Sequence, residues 1–284
     1  MSRTPASPTS SSLASKLVVY LVLIVCALPV VFPLYYAVVG GIMTPSDLAS
    51  YPPKLVPTGI DLGNFSSALE TIPLARQYLN SAIQTGIVTI CQLITSVLAA
   101  YAFAFLRMWA KTAMFALFMV TLMVPWEAII LPNYLLISDL GLTKGPLTYL
   151  GLTLPFLAHA FGTFLLRQSF LQFPLEVRDA AVMDGCGHLR FLWRILIPLS
   201  KPAIAAVGVY VFMTTWNQYF WPLILGNDDR YKTLQIGVSM LNDAESSSPT
   251  LILAGVTLAL LPTLALVIFG QRFIIRGLTA GAVK

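Results

Sequence analysis

Six long apolar stretches constrain the fold of this chain more than any other feature of its sequence. A helix needs about 20 mostly apolar residues to cross a bilayer, and its backbone polar groups must then be satisfied within the segment. Because 57% of the residues are hydrophobic and only 10% are charged, an ordinary soluble class is excluded. The sequence therefore predicts an all-α, polytopic membrane protein with six transmembrane helices. They are expected at residues 17–43, 82–105, 113–137, 147–167, 202–225 and 251–275.

The basic residues predict which side of the membrane each loop faces. Cytoplasmic loops carry an excess of Lys and Arg, and six spans place both termini on one side. Twelve of the 17 basic residues fall on that side, and the other side carries Lys54, Arg76, Lys144, Arg230 and Lys232. We therefore expect both termini to be cytoplasmic and the spans to be in contact with membrane lipids. This topology explains the net charge of +5 without a nucleic-acid partner.

A single membrane domain, residues 17–284, is expected to follow a Ser-, Thr- and Pro-rich segment, residues 1–16, which we expect to be disordered in the cytoplasm. The first apolar run exceeds the 7–15 residues of a signal-peptide core, so we interpret it as an uncleaved span. The outer segment 44–81 should contain a short surface helix with Asn64 as a possible N-cap. The outer loop 226–249 is expected to be polar and turn-rich.

The loop between the fourth and fifth spans, residues 174–198, has the pattern of a short surface helix. Pro174 suits a first helical turn, and Glu176 and Asp179 favour the positive end of a helix. Gly185 supplies a left-handed position that ends a helix. We expect a helix of about ten residues.

Two further patterns lie in the same loop. Ala180 and Ala181 should form a small-residue face that another backbone can approach closely. After the glycine, apolar residues with helical spacing predict a second helix with an apolar stripe facing the bundle. That stripe consists of Leu189, Leu192, Trp193 and Leu196, and Arg190 and Arg194 lie on another face.

The spacing of this loop resembles the "EAA" coupling loop of ABC importer permeases. It reads Asp179-Ala-Ala, three residues, Gly185, nine residues, Ile195, one residue, Ile197-Pro198. Two positions depart from the family pattern, since Asp179 stands where Glu is usual and Ile197 where Leu is usual. The C-terminal segment 271–284 is similar to the tail of maltose-type permeases, so the resemblance covers nearly the whole chain from Leu17.

The resemblance implies a type I ABC importer permease in a bacterial inner membrane, together with its partners. These are a second, different permease, two ATP-binding subunits and an external solute-binding protein. ATP and Mg are expected on the ATP-binding subunits, because this chain has no Gly-x4-Gly-Lys-Ser/Thr loop, no cluster of catalytic groups and no metal-ligand spacing. We thus expect no cofactor on this chain and no enzyme activity. The residues implied in ATPase coupling are Glu176, Asp179, Ala180, Ala181, Asp184, Gly185, Arg190 and Arg194.

Polar and aromatic groups inside the spans are candidates for the substrate pathway. A carboxylate in a span is costly and should face the interior or water, so Glu127 is either a substrate contact or a group near the outer surface or paired with the partner permease. The run 216–222 combines aromatics and amides, which suits either polyols and sugars or an interfacial aromatic belt. The pathway candidates are Glu127, Asn133, Trp216, Asn217, Gln218 and Tyr219. For His159 and Gln92 we expect hydrogen bonds between helices.

Three segments look similar to permeases of glycerol-3-phosphate-type importers, namely 152–155, 166–168 and 216–223. The resemblance implies uptake of glycerol-3-phosphate or a glycerophosphodiester such as glycerophosphocholine. A phosphate dianion should attract Lys or Arg, which the spans lack, whereas Glu127 with Trp216 and Tyr219 would favour a choline cation. The alternatives are the same machinery importing a maltose- or trehalose-type saccharide, or a secondary transporter or channel.

Overall fold

The computed structural model describes residues 13–226, 228–243 and 248–279, and apart from a single bridge between Met43 and Ile60 their regular structure is helical. This confirms the all-α prediction. The helices are α1 Leu13–Ile42, α2 Pro45–Leu48, α3 Gly63–Thr71, α4 Leu74–Phe105, α5 Lys111–Val120, α6 Trp126–Asp139, α7 Thr148–Thr153, α8 Ala160–Leu171, α9 Leu175–Met183, α10 His188–Phe191, α11 Ile197–Leu199, α12 Lys201–Trp216, α13 Phe220–Leu225, α14 Leu234–Asp243 and α15 Pro249–Thr279. Short 3₁₀ turns and one π turn, Leu192–Leu196, join some of them.

Three described helices are long and apolar enough to cross a membrane unbroken, at Ser15–Ile42, Leu74–Phe105 and Pro249–Gln271. Three bent pairs bring the number to six if each pair is one crossing, which is consistent with the six predicted stretches. The pairs are Lys111–Met123 with Trp126–Asp139 (94°), Gly145–Phe156 with Ala160–Leu171 (48°), and His188–Leu199 with Lys201–Trp216 (80°).

The bends show that the third, fourth and fifth spans are not single straight helices. Proline lacks the N–H that continues a helix and disfavours helical geometry in the residue before it. Accordingly, Val124 is extended immediately before Pro125. The fifth span ends at Trp216, and residues 217–219 separate it from α13. The helix is therefore interrupted before Pro222, which lies inside α13.

The chain forms two compact units, and the larger comprises Leu69–Ala244 and Leu258–Lys284. Its centre is α4, which packs along α8 and α12. A Cβ added at Gly162 would lie 2.7 Å from Ser96 Oγ and 3.2 Å from Val207 Cγ1, so this glycine permits the close approach of α8. The buried apolar residues of this core include Val88, Val97, Leu166, Phe170, Leu192, Leu196, Val207 and Val211.

The loop expected at 226–249 contains a packed helix, so the prediction of a polar, turn-rich loop was wrong for residues 234–243. Leu234, Ile236 and Leu241 of α14 are buried. The Leu234 N–H donates to Ser81 Oγ at 2.9 Å, which ties the start of α14 to α4. Residue 227 and residues 244–247 lie outside the described residues.

The smaller unit comprises Met1–Ala68 and Glu245–Thr257. The C-terminal end of α1 packs against the first turns of α15, where a Cβ added at Gly41 would lie 3.1 Å from Ala254 Cα. Thr257 Oγ1 donates to the Ala37 carbonyl at 3.0 Å. The helix α1 begins at Leu13, which corrects the predicted boundary after residue 16, and the rest of the expected disordered segment, residues 1–12, lies outside the described residues.

A buried carboxylate organises the segment after α1. Asp47 is 2% exposed, and its carboxylate accepts hydrogen bonds from Lys54 Nζ (2.6 Å), Thr58 Oγ1 (2.6 Å), Thr58 N (2.9 Å) and Gly59 N (3.3 Å). The side-chain hydrogen bond from Lys54, together with those from Thr58 and Gly59, lowers the pKa of Asp47 far below its usual value. This network fixes residues 47–59 as one local structure.

The expected surface helix is present as α3, but Asn64 does not cap it. Asn64 lies inside α3, and its Nδ2 donates to the carbonyls of Gly41 (3.1 Å), Met43 (2.9 Å) and Asp61 (3.1 Å). Asp61 Oδ1 instead accepts the Gly63 N–H at the start of the helix, at 2.8 Å. Asn64 therefore ties the helix to the end of α1.

Candidate functional site

The predicted coupling helix is present as α9, nine residues long, with Pro174 at its N-cap and Glu176 in its first turn. Gly185 follows it in a left-handed conformation with φ = 70°. The Gly185 N–H donates to Val182 O at 3.0 Å, and the Cys186 N–H donates to Ala181 O at 2.9 Å, the hydrogen-bond pair of a Schellman motif. A Cβ at Gly185 would meet no atom within 4 Å, so backbone conformation rather than space requires glycine here.

The two alanines do not share a face. Ala181 is buried in the core cluster, whereas Ala180 is exposed, because successive helical residues lie about 100° apart around the axis. The single small-residue face that we predicted is therefore corrected to one alanine inside and one outside. The exposed surface of the loop, which we call the coupling surface, contains Leu175, Glu176, Asp179, Ala180, Val182, Met183, Asp184, Leu189, Arg190, Trp193 and Arg194.

The helix after the glycine buries a different stripe from the predicted one. Leu192 and Leu196 are buried as expected, with Phe191 beside them, but Leu189 and Trp193 are 69% and 58% exposed. From Leu192 onward the helix contains a π turn, in which the Ile197 N–H donates to Leu192 O, and this five-residue step departs from the 3.6-residue repeat. Leu189 lies before the π turn.

Two side-chain contacts connect the coupling loop to α4. The hydroxyl of buried Tyr101 lies 2.8 Å from His188 Nδ1, and the guanidinium of Arg178 lies 5.7 Å above the ring of Phe105, a cation–π geometry. Both aromatic residues belong to the core cluster that includes Ala181 and Phe191. The loop is thus attached to the second span as well as to its flanking helices.

A cavity of about 430 Å³ lies at the ends of α8 and α12 that are distant from the coupling loop. We call it the distal cavity. Its polar lining contains two amides, an imidazole and several hydroxyls, and none of its described lining residues is charged. The lining residues are Gln92, Phe118, Thr121, Val124, Trp126, Ile129, Pro155, Phe156, Ala158, His159, Ala160, Tyr210, Thr214, Thr215 and Gln218.

Hydrogen bonds outside the cavity orient two of its polar groups. Gln84 Nε2 on α4 donates to Gln218 Oε1 at 2.8 Å, and Gln84 is buried. His159 Nδ1 accepts the Phe161 N–H at 3.3 Å and caps α8. Because this ring nitrogen accepts a backbone N–H, it carries no proton, so the neutral ring has its proton on Nε2. His159 is therefore an uncharged N–H donor.

Of the predicted pathway residues, Gln218 lines the distal cavity and the others lie elsewhere. Trp216 is 3% exposed, stacks on Phe212 at 5.7 Å and donates Nε1–H to Ala259 O. Asn217 Nδ2 donates to Met213 O, and the Tyr219 hydroxyl lies 3.2 Å from Ser239 Oγ.

The two predicted pathway residues of the third span both lie in α6. Glu127 is exposed in its first turn, directly after Trp126, which lines the cavity. Asn133 is half-buried further along the helix.

His159 and Gln92 correct another prediction. We expected each to make a hydrogen bond between helices, but His159 bonds within its own segment and both side chains line the distal cavity. Sequence reasoning also missed Trp126, Tyr210 and Thr214. The sequence does show polar groups on four separate apolar segments. They indicate a shared cavity only once the packing of those segments against one another is known.

The sequence matches the family model described as "Binding-protein-dependent transport system inner membrane component" over residues 92–280. The chain belongs to this family. It is therefore the non-catalytic, multi-pass inner-membrane permease of a binding-protein-dependent ABC importer, which works with ATPase and binding-protein partners. The match includes both the coupling loop and the distal cavity.

Similar proteins cover nearly the full length of the permease. It is 38% identical over 273 residues, 93% of this chain and 96% of the relative, to the sn-glycerol-3-phosphate transport system permease protein of Rhizobium meliloti. The proteins of that name from Agrobacterium fabrum and Yersinia pestis are 36% and 35% identical, over 93% and 91% of this chain and 96% and 94% of theirs. A bacterial ABC transporter involved in alginate import has a similar fold, with a TM-score of 0.79 at 24% identity, over 95% of this chain and 99% of that one.

Proposed function

We propose that the permease carries glycerol-3-phosphate or a glycerophosphodiester, with glycerophosphocholine as the preferred cargo. The observation that carries the substrate class is its identity of 35–38% over more than nine-tenths of its length to relatives named as sn-glycerol-3-phosphate permeases. In this proposal the permease pairs with a second, different permease. Two ATP-binding subunits that hold ATP and Mg bind the coupling surface at the cytoplasmic side, where both termini also lie, and an external binding protein delivers the solute.

The chemistry of the distal cavity favours the choline diester over free glycerol-3-phosphate. A dianion is expensive to remove from water unless cations compensate it, and no described lining residue of the cavity is Lys or Arg. Glycerophosphocholine carries one negative and one positive charge, so its net charge is zero. The amides of Gln92 and Gln218 and the His159 Nε2–H offer partners for its hydroxyls and phosphodiester oxygens, while Trp126 and Tyr210 offer aromatic faces to the cation.

This arrangement changes our sequence-based choline hypothesis. Trp216 is 3% exposed and does not line the distal cavity, whereas Trp126 is part of its lining. Trp126 takes that role in the proposal. Glu127, the next residue, is retained as a carboxylate that attracts the cation towards α6 from its exposed position.

The solute that raises ATP hydrolysis tests the proposal. The complete transporter in proteoliposomes, supplied with its binding protein, should hydrolyse ATP faster with glycerophosphocholine than with glycerol-3-phosphate, and neither maltose nor trehalose should raise the rate. Stimulation by the saccharides alone would establish the alternative cargo. Uptake without the ATP-binding subunits would indicate a secondary transporter or channel instead.

Glu127→Gln tests the contribution of the carboxylate. Removing the charge should lower the rate of glycerophosphocholine uptake about two- to fivefold, the range of roughly 0.5–1 kcal/mol expected for an exposed cation contact. Glycerol-3-phosphate uptake should stay unchanged because it carries no cation. Asp139→Asn, at the other end of α6, is the matched control. An equal loss of uptake for both solutes would show that Glu127 does not recognise the cation.

A further inference from the structure

A second cavity lies beside the coupling loop, against the same two helices as the distal cavity. We call it the proximal cavity. It has a volume of about 550 Å³ and is lined by residues of α8, α9 and α12, including Leu165, Gln168, Ser169, Ser200 and Val207. Like the distal cavity, it combines amides and hydroxyls with apolar walls, and none of its described lining residues is charged. Both cavities therefore offer uncharged amide and hydroxyl partners to a solute, whereas the imidazole of His159 and the rings of Trp126 and Tyr210 line the distal cavity alone.

Less than two helical turns separate the two cavities. On α8 the distal lining ends at Ala160 and the proximal lining begins at Leu165, which is about 7.5 Å along the helix axis. On α12 the proximal lining ends at Val207 and the distal lining begins at Tyr210, about 4.5 Å away.

An aromatic pair lies at the distal edge of this short interval, where Tyr210 itself lines the distal cavity. The rings of Phe161 on α8 and Tyr210 on α12 have their centroids 4.7 Å apart with an interplanar angle of 48°. Such contacts between aromatic rings contribute about 0.5–1.5 kcal/mol beyond the burial of their area, a strength that a conformational change can overcome. Neither ring is buried, as Tyr210 is 40% exposed and Phe161 is half-buried, so both have room to rotate.

We propose that Phe161 and Tyr210 form an internal gate between two successive solute sites of the translocation pathway. This inference rests on the proposed function, because it takes the distal cavity as part of that pathway.

The coupling helix α9 supplies the means of opening the gate. Pro174 and Val177 of the coupling loop line the proximal cavity, as do Leu199 and Ser200 at the 80° bend before α12. A displacement of α9 would therefore move the proximal wall and the start of α12 together and separate the two rings.

Passive solute leakage tests the gate. Proteoliposomes containing the complete transporter are loaded with radiolabelled glycerophosphocholine. Efflux is followed without nucleotide and with ATP plus orthovanadate, which holds the ATP-binding subunits in one state. Phe161→Ala and Tyr210→Ala should each increase efflux at least fivefold in one of these two conditions. Tyr210→Phe keeps the ring and should leave the vesicles as tight as the wild type.

Phe164→Ala is the matched control, since it removes the same ring from the same helix but lies in neither cavity lining. Its vesicles should not leak. If all three alanine variants leak equally, loosened helix packing explains the effect and the gate is disproved. If neither gate variant leaks in either condition while both assemble into the complex, the proposal is likewise overturned.

Thiol protection separates a failure of the gate from a failure of the pathway. Gln218→Cys in the distal cavity and Gln168→Cys in the proximal cavity are made in a background with Cys26, Cys91 and Cys186 replaced by Ala. Glycerophosphocholine should slow modification of both thiols by a membrane-impermeant maleimide at least threefold. No protection at either position would overturn the pathway itself and with it the gate. Protection at both positions without leakage in the ring variants would leave the pathway intact and reject only the gate.

Discussion

The coupling loop and the distal cavity differ in how the chain builds them. The coupling loop is one continuous segment whose helix, cap and turn are fixed by hydrogen bonds between residues a few positions apart, such as Cys186 N–H to Ala181 O. The distal cavity combines residues from α4 to α12, and the hydrogen bond that holds Gln218 comes from Gln84, 134 residues away. A local site is sensitive to backbone conformation, and an assembled site is sensitive to the partners of its side chains.

The largest effect should follow from changing the backbone of the local site. Gly185→Val places a β-branched residue at φ = 70°, where ordinary L-residues are strained by about 1–2 kcal/mol and β-branched ones by more. We expect the Schellman end of α9 to unravel and solute uptake per ATP hydrolysed to fall at least tenfold. The measurement is the ratio of uptake to ATP hydrolysis in proteoliposomes.

Gly185→Asn provides the control, because Asn tolerates the left-handed conformation better than other residues. No atom lies within 4 Å of a Cβ at this position, so the Asn side chain meets no obstacle. The Asn variant should retain most coupling. A valine variant with the wild-type ratio would show that the end of α9 does not transmit movement.

The same contrast explains what the sequence could predict. In the coupling loop, Pro174, Glu176 and Gly185 each have a local meaning for a helix, and α9 with its left-handed glycine was predicted correctly. The stripe on the following helix was mispredicted at Leu189 and Trp193. Trp193 lies in the π turn Leu192–Leu196, which violates the 3.6-residue repeat that the prediction assumes, whereas Leu189 precedes this turn.

The distal cavity could not be predicted from local patterns. His159 and Gln92 each look like a lone polar residue in an apolar segment, and only the packing of α4 against α8 and α12 brings them together. Trp216 misled the prediction for the same reason, since its indole has the chemistry of a ligand contact but packs against Phe212 and Tyr78. Apolar length fixes the number of candidate spans but does not determine which helix faces meet.

A moderate effect is expected from the side-chain pair of the assembled site. Gln218→Leu removes a cavity amide and leaves the buried Gln84 amide without its partner, which costs about 1–3 kcal/mol. Gln84→Leu frees the Gln218 amide to reorient. We expect each variant to raise the KM for glycerophosphocholine roughly tenfold, the equivalent of about 1.4 kcal/mol, with a smaller change in kcat.

The double variant decides whether the pair acts as a unit. If Gln84 acts by positioning Gln218, the two changes together should cost little more than Gln218→Leu alone, since coupled residues are not additive. Gln271→Leu, on an exposed face of α15, should leave KM at its wild-type value. Independent, multiplying effects of the two glutamine changes would reject the positioning role.

We expect the smallest effect from a substitution of Asp47. Its hydrogen-bond network is local in sequence, like the coupling loop, but depends on side-chain partners, like the distal cavity. The pKa of this carboxylate is lowered chiefly by the hydrogen bond from Lys54. A lowered folded-state pKa means that the stabilisation is complete above the ordinary value of 3.8 and is lost as the pH falls through the folded-state value. At neutral pH, Asp47→Asn should remove the charge-assisted bonds, and hydrogen exchange of the Thr58 and Gly59 amides should accelerate several-fold.

Asp228→Asn is the matched comparison. The pKa of Asp228 is also lowered, by hydrogen bonds from Arg230, but the side chains of Arg230 and Asp228 are 64% and 31% exposed, and ion pairs near the surface contribute little to stability. Its substitution should leave exchange of the neighbouring backbone amides within about twofold of the wild type. Equal acceleration in the two variants would mean that burial of the Asp47 carboxylate does not distinguish the sites. In that case, the segment after α1 would be held by its prolines and by the Asn64 contacts to Gly41 and Met43.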